Sequence, residues 1–279
     1  MKELDLQKDF IIADGAMGTK LMEAGVDLRK TSSEILNLHN KELIEEIHKE
    51  YIESGAEIIL SNTFMCNIIN AKKNGYSLEE VVTNALEIGK KASGDKVSLA
   101  LDIGPLSYYL DEYSDNFKKV IEENTERIIK VGKEIYDLVL FETLGSIKEG
   151  EIAVNKAKTL TNKPIICSFT LAGKKDIEKF LDELCNSFND SGISALGINC
   201  TEYELILEAL KILKNKTKLP IMIKANLGMP KRVEGELKYA QSPLEFEEFS
   251  RKAKELGVKI IGGCCGTTPE YIRELRDLV

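Results

Sequence analysis

Short apolar runs rich in Ile, Leu and Val alternate along the chain with longer stretches whose apolar positions recur every three or four residues. The runs are FIIADG (10–15), AEIILSNTF (56–64), KVSLALDIG (96–104), DLVLFET (137–143), PIICSFT (164–170), SALGINC (194–200), PIMIKAN (220–226) and KIIGGCC (259–265). They read as eight strands. The stretches between them read as helices: Leu43, Ile44, Ile47, Tyr51 and Ile52 share one face, and so do Phe117, Val120, Ile121, Ile128 and Ile129. Gly55, Gly132 and Gly257 fall near the ends of such stretches, where a left-handed C-terminal cap is expected. Strands that are apolar along their whole length belong in a parallel sheet covered by helices on both faces. Eight strand-helix units in 279 residues therefore predict a (β/α)8 TIM barrel rather than an open doubly wound sheet. No Pro/Gly/Ser-rich linker divides the chain, so residues 1–279 are expected to form a single domain. Two less periodic connections, 25–40 and 226–243, follow strand ends, where barrel enzymes place substrate loops. The basic residues of the second, Lys231, Arg232 and Lys238, suit a solvated loop, a lid or a surface for an acidic partner.

Composition narrows the class. Hydrophobic residues make up 43% and charged residues 30%, with six prolines, which describes a globular chain with a sizeable core. A net charge of −8 argues against nucleic-acid binding, which would need a basic face. The charged opening MKELDLQKDF lacks the apolar core of a secretory signal, and no apolar run approaches the roughly 18–20 residues of a membrane span. A cytoplasmic location follows as an expectation. There the six cysteines should be reduced, and a cluster of them reads first as metal-binding or catalytic.

Polar and reactive residues gather at the C-terminal ends of the runs: Asp14, Asn62 with Thr63, Asp102, Glu142 with Thr143, Ser168, Asn199 with Cys200, Asn226, and Cys264 with Cys265. Any one of these is equally well explained as a helix cap, but eight in register predict a site at one barrel mouth. The sharpest motif is GGCCGTTPE (262–270), a strand ending in a glycine turn and two cysteines, with Thr268 as N-cap and Pro269 at the first helical position. Adjacent cysteines bridge each other poorly but can face one cation. A third thiolate would come from Cys200 or, as competitor, Cys66, while Cys167 and Cys185 fall inside elements and read as inert buried thiols. Three thiolates favour Zn2+ with an open fourth position. The two histidines, His39 and His48, lie in the first long loop and the first helix, so a His-based site or a Ser-His-Asp triad is not expected. DGAMGTK lacks the phosphate-loop spacing and reads as a loop of backbone donors. A metal already carrying three thiolates acidifies water poorly but suits a fourth sulfur, and a thiol with a free pKa near about 8.5 would bind as thiolate. That chemistry points to alkyl transfer onto a thiol.

The stretches DGAMGT (14–19), GAEIILSNTF (55–64), DIGP (102–105), FET (141–143), ALGINC (195–200) and GGCCGTTPEYI (262–272) resemble the homocysteine S-methyltransferase family, and more closely the homocysteine-binding barrel of cobalamin-dependent methionine synthase. The resemblance runs over essentially the whole chain. It implies methyl transfer to the thiol of L-homocysteine to give methionine, with Cys200, Cys264 and Cys265 as the catalytic zinc ligands and the homocysteine thiolate as the fourth. It further implies that Asp14 and Glu142 hold the substrate ammonium, and that backbone amides around Ala16 and Met17, with Asn62 and Thr63, face its amino-acid end. Asn226 matches a family asparagine near the metal. Nothing matches a corrinoid-binding DxHxxG loop, so cobalamin would enter only through a separate methyl-corrinoid partner protein. S-methylmethionine and betaine are the alternative donors. Betaine is the least favoured, since a chain with no tryptophan has few parts for an aromatic cage beyond Tyr108 and Tyr109. The rival readings are a different acceptor thiol, a homocysteine-binding subunit inactive without its partner, and a structural zinc barrel.

Overall fold

All eight apolar runs become strands of one parallel sheet in the computed structural model, which describes residue 6, residues 8–228 and 239–279, and the backbone of 231–233 and 236–238. The strands are β1 (Ile11–Ile12), β2 (Ile58–Leu60), β3 (Ser98–Ile103), β4 (Leu138–Leu144), β5 (Ile165–Phe169), β6 (Ala195–Thr201), β7 (Ile221–Ala225) and, after a hairpin of β8 (Lys231–Val233) and β9 (Glu236–Lys238), β10 (Val258–Gly263). Their order is β1-β10-β7-β6-β5-β4-β3-β2. The ring closes where Ala13 bridges Ile58, with Asp14 N–H donating to the Ile58 carbonyl at 2.9 Å and Glu57 N–H to that of Ile12 at 2.7 Å. This is the (β/α)8 barrel the apolar runs predict.

Helices α1 (Met17–Glu23), α2 (Leu36–His39), α3 (Lys41–Glu53), α4 (Ile68–Asn74), α5 (Leu78–Ser93), α6 (Phe117–Val131), α7 (Ile147–Lys158), α8 (Ile177–Phe188), α9 (Tyr203–Lys216), α10 (Pro243–Glu255) and α11 (Pro269–Glu274) complete the connections. Several begin at side-chain caps: Ser77, Ser146 and Asp176 each accept the backbone N–H three residues on, and Ser242 forms a reciprocal capping box with Glu245. Of the three glycines expected to cap helices, Gly55 (φ 111°) and Gly257 (φ 94°) have positive φ, but Gly132 does not, at φ −117°. Its requirement is space: a Cβ there would sit 1.9 Å from Leu86 Cδ1. The β8–β9 hairpin was not foreseen within the 226–243 connection, and the side chains of Lys231, Arg232 and Lys238 lie outside the described residues.

Alternation along each strand sorts its side chains. Ile12, Ile59, Leu99, Leu101, Val139, Leu196, Ile223 and Ile261 point outward and pack with the helices. Ile11, Ile58, Leu138, Ile166, Ala195, Met222 and Ile260 point inward and fill the barrel. The same inward parity, continued toward the C-terminal ends, reaches Asp102, Glu142, Ser168, Asn199 and Lys224. Among the described residues, no helix is long and apolar enough to cross a membrane.

Candidate functional site

Three sulfurs meet at the mouth. The Sγ atoms of Cys200, Cys264 and Cys265 all lie within 4.8 Å of one another. A tetrahedral ion with metal-sulfur bonds of about 2.3 Å needs sulfurs about 3.8 Å apart, so the trio fits a zinc-sized ion with a small contraction. Cys66, the competing third ligand, is buried outside this cluster, and Cys167 and Cys185 are buried in β5 and α8.

The backbone aims these sulfurs. Pairing of β6 with β7 shifts register between Asn199 and Thr201, and Cys200 in between has φ 50°. A left-handed conformation in a non-glycine residue is strained, and here it departs from the inward-outward alternation at one of the three clustered cysteines. Cys264 N–H donates to the Ala225 carbonyl at 2.8 Å, while the Cys264 carbonyl accepts from Thr267 N–H at 3.1 Å and from its hydroxyl at 2.7 Å. The turn needs Gly263, where a Cβ would lie 2.2 Å from Thr267 Oγ1. Asn226 ties both halves together: its Nδ2 lies 3.6 Å from Cys200 Sγ and its Oδ1 accepts Cys265 N–H at 3.2 Å. Hydrogen bonds from Cys264 and Cys265, with a further one from Asn226, hold the Cys200 thiol down to about 3. The same crowding pushes Cys264 well above the usual thiol range and Cys265 up to about 11. Without a cation the three share their protons as a set.

Below the sulfurs lies a charged floor. Lys224, two residues beyond the inward Met222, puts its Nζ 3.1 Å from Asp14 Oδ1 and 3.4 Å from Glu142 Oε1. Asp14 also accepts Leu60 N–H at 2.7 Å through Oδ2. Burial works against the Lys224 ammonium, but Asp14 and Glu142 outweigh it and hold its pKa above the ordinary lysine value. Burial pushes the Asp14 and Glu142 carboxyls up, with Lys224 opposing. Asp102 is pushed well above the carboxylate range by burial and by the Glu142 charge. Lys224 is the site residue that reading the strand ends missed; its parity with Met222 was the signal available.

Glu142 is positioned by a second bulge. The β4–β5 register shifts between Phe141 and Leu144, and Thr143 has φ 59°. Asn199 holds that kink, accepting Thr143 N–H at 3.0 Å and Ser168 Oγ–H at 2.7 Å through Oδ1 while its Nδ2 donates to Thr143 Oγ1 at 2.6 Å.

A cavity of about 360 Å3 joins sulfurs and floor, lined among others by Asp14, Met17, Asn62, Phe64, Asp102, Glu142, Lys224 and the three cysteines. That volume suits a small molecule. Ala16 and Met17 line it too, but Ala16 N–H is engaged by the Thr267 carbonyl at 3.2 Å. Met17 opens α1, whose first-turn amides lack intrahelical acceptors. Asn62 lines the cavity while its Nδ2 donates to the Ser33 carbonyl at 2.8 Å and Asn37 Oδ1 at 3.1 Å, which pins the 25–40 connection to β2. Thr63 is fully buried, does not line the cavity, and donates its hydroxyl to the Asp102 carbonyl at 2.6 Å. A larger surface cavity of about 470 Å3, between Lys30–His39 and the start of α5, contains none of the cysteines.

Comparison with known proteins agrees across the chain. The family model described as homocysteine S-methyltransferase matches residues 11–279. Homocysteine S-methyltransferase 1 of Arabidopsis thaliana is 28% identical, the match covering 96% of this chain and 93% of that protein. Methionine synthase of Mycobacterium leprae is 27% identical over 98% of this chain, which spans 24% of that protein's length. The fold matches the metallated homocysteine methyltransferase MmuM of Escherichia coli with a TM-score of 0.78 at 22% identity, covering 98% of this chain and 97% of that one.

Proposed function

This chain belongs to the homocysteine S-methyltransferase family, and we propose that it transfers a methyl group to the thiol of L-homocysteine, giving methionine, with zinc held by Cys200, Cys264 and Cys265. The observation that carries the reading is the three-sulfur cluster opening into the same small cavity as a buried, mainly acidic floor. An amino acid bearing a thiol needs both ends: sulfur ligation at one and an anion for its ammonium at the other.

Zinc bound to the three cysteines would keep the incoming substrate thiol deprotonated at neutral pH. The chain's own residues do the rest. Asn226 orients Cys200 and Cys265 relative to each other. Asn199 fixes Thr143 and with it the direction of Glu142. Met17, Met22, Leu28 and Phe64 give the cavity an apolar wall that limits water around the reacting sulfur. With the thiol proton already removed, no further general base is required.

For the donor, a separate methyl-corrinoid protein is the first reading. It is supported by the resemblance to the homocysteine-binding barrel of cobalamin-dependent methionine synthase and by the match of 98% of this chain to methionine synthase of Mycobacterium leprae. S-methylmethionine is the second, kept because the chain matches 93% of the length of the Arabidopsis homocysteine S-methyltransferase 1 and not only one part of a longer methionine synthase. A methyl-transfer assay with zinc-loaded protein and homocysteine separates them, using S-methylmethionine against methylcobalamin or a methylated corrinoid protein. Cys264→Ser is expected to lose both zinc and turnover. Intact zinc and homocysteine binding without turnover on either donor would sink the self-sufficient reading.

A further inference from the structure

Tyr51 sits among the apolar residues of α3 and is 1% exposed, but its hydroxyl reaches past the helix to two loops of the barrel mouth. It lies 3.1 Å from the Ala16 carbonyl and 3.0 Å from the Thr267 carbonyl, so one proton is shared between acceptors from opposite ends of the chain. Neither carbonyl depends on that proton for a partner. The Ala16 carbonyl also accepts Lys20 N–H at 3.3 Å, and the Thr267 carbonyl accepts Ala16 N–H at 3.2 Å. That last bond alone would join the two loops as a pivot; the Tyr51 hydroxyl adds a second tie, from a helix that Ile44 and Ile47 anchor in the core.

Each loop carries part of the cavity wall. Residues 15–19 line it on one loop, Cys264 and Cys265 on the other. Thr267 donates to the Cys264 carbonyl through both its N–H at 3.1 Å and its hydroxyl at 2.7 Å, so whatever fixes Thr267 also fixes the turn that carries the two cysteines. The junction has no slack: a Cβ on Gly15 would lie 2.8 Å from both Tyr51 Cε1 and Thr267 Oγ1. Tyr51 itself does not line the cavity.

We propose that Tyr51 is a positioning residue whose hydroxyl fixes the spacing between residues 15–19 and the cysteine turn, and thereby favours ligands that touch both walls over thiols that touch only the metal. The proposal rests on the homocysteine reading above, in which one small molecule reaches from the three cysteines to the rest of the cavity wall. A two-ended ligand gains when the walls already stand at its own length, because no loop freedom is lost in setting that spacing on binding. A one-ended thiol is indifferent to it. Tyr51 acts on the substrate only through Ala16 and Thr267.

The test compares L-homocysteine with 2-mercaptoethanol, which keeps a thiol and lacks the amino-acid end. Dissociation constants are measured on zinc-loaded wild type and Tyr51→Phe, with zinc stoichiometry and circular dichroism confirming the fold. Tyr51→Phe is expected to weaken homocysteine about 3- to 10-fold, the range of one neutral hydrogen bond, and to leave 2-mercaptoethanol unchanged. A role in packing alone would lower stability and leave the ratio of the two constants at its wild-type value. If the phenylalanine variant does not fold, Gly15→Ala, which wedges the same junction with the hydroxyl retained, carries the comparison. Equal weakening of both thiols, or of neither, overturns the assignment of Tyr51 while leaving homocysteine as the substrate. Wild type that binds homocysteine no better than 2-mercaptoethanol overturns the homocysteine reading and the proposal together.

Discussion

The two ends of the barrel interior are built by the same alternation and do opposite things. Toward the N-terminal ends, Ile11, Ile58, Leu138, Ile166, Met222 and Ile260 fill the barrel with apolar volume. One or two inward positions further along the strands stand Asp102, Glu142, Ser168, Asn199 and Lys224, all buried and all polar. Packing at the lower end is non-directional and each side chain contributes by area. At the upper end burial is a cost that only specific partners offset, so each group matters through the identity of its neighbour. The lower layer sets stability, and the upper layer holds charges along the wall of the cavity.

The largest stability effect follows from breaking the upper layer at Lys224, its single cation among the described residues. Lys224→Met would leave Asp14, Asp102 and Glu142 facing one another without a counter-ion, at a cost of about 3–5 kcal/mol, the range for removing one partner of a buried pair. The sign with pH is defined. The three carboxyls are already raised in the folded protein, so each binds its proton more tightly folded than unfolded. Their contribution therefore worsens as pH rises above the ordinary carboxylate range, and losing Lys224 raises them further. Lys224 itself is raised and stays charged throughout neutral pH. Denaturant titrations at pH 5 and pH 8 should show the larger deficit at pH 8, and a deficit independent of pH would contradict the charge account.

The lower layer gives the contrasting case. Leu138→Ala, at a fully buried inward position, should cost about 2–5 kcal/mol through lost burial and a cavity. The KM for homocysteine in the remaining folded protein should stay within about twofold of wild type, because no partner of the upper layer is removed. A KM shift as large as that of an upper-layer variant would erase the division between the two layers.

How far this division can be read from sequence depends on what sets each feature. The eight runs from FIIADG to KIIGGCC are legible because a buried parallel strand must be apolar along its length. Cys264 and Cys265 stand out because adjacent cysteines flanked by glycines have few other uses, and Cys200 was preferred to Cys66 because it ends a strand. Lys224 does not announce itself in the sequence, where a lone lysine near a strand end has the pattern of a side chain reaching for water. Only its parity with Met222, combined with ring closure, turns it inward. The left-handed residues Thr143 and Cys200 were invisible for a different reason. Neither is a glycine, and their φ values are set by register shifts against neighbouring strands that no local pattern encodes. The β8–β9 hairpin was missed because KRV and ELK are too short to display a period.

The smallest stability effect expected is also the most discriminating, because at Thr143 strain and function oppose each other. Thr143→Gly would relieve a left-handed conformation that costs a non-glycine residue about 1–2 kcal/mol. It would also remove the hydroxyl that accepts from Asn199 Nδ2 at 2.6 Å, a loss of about 0.5–1.5 kcal/mol, and free the backbone in the unfolded chain. These terms nearly cancel, so the stability change should stay within about 1 kcal/mol by denaturant titration. Activity should not cancel. Without the hydroxyl, Asn199 no longer clamps the kink from both sides, and the carboxylate of Glu142, one residue away, loses its fixed direction. Loss of such orienting partners typically costs about 10- to 100-fold at metal sites, and a loss toward the lower figure is expected here in kcat/KM for methyl transfer. A glycine variant with both stability and kcat/KM intact would show that the left-handed kink serves packing at the strand end and has no part in aiming Glu142.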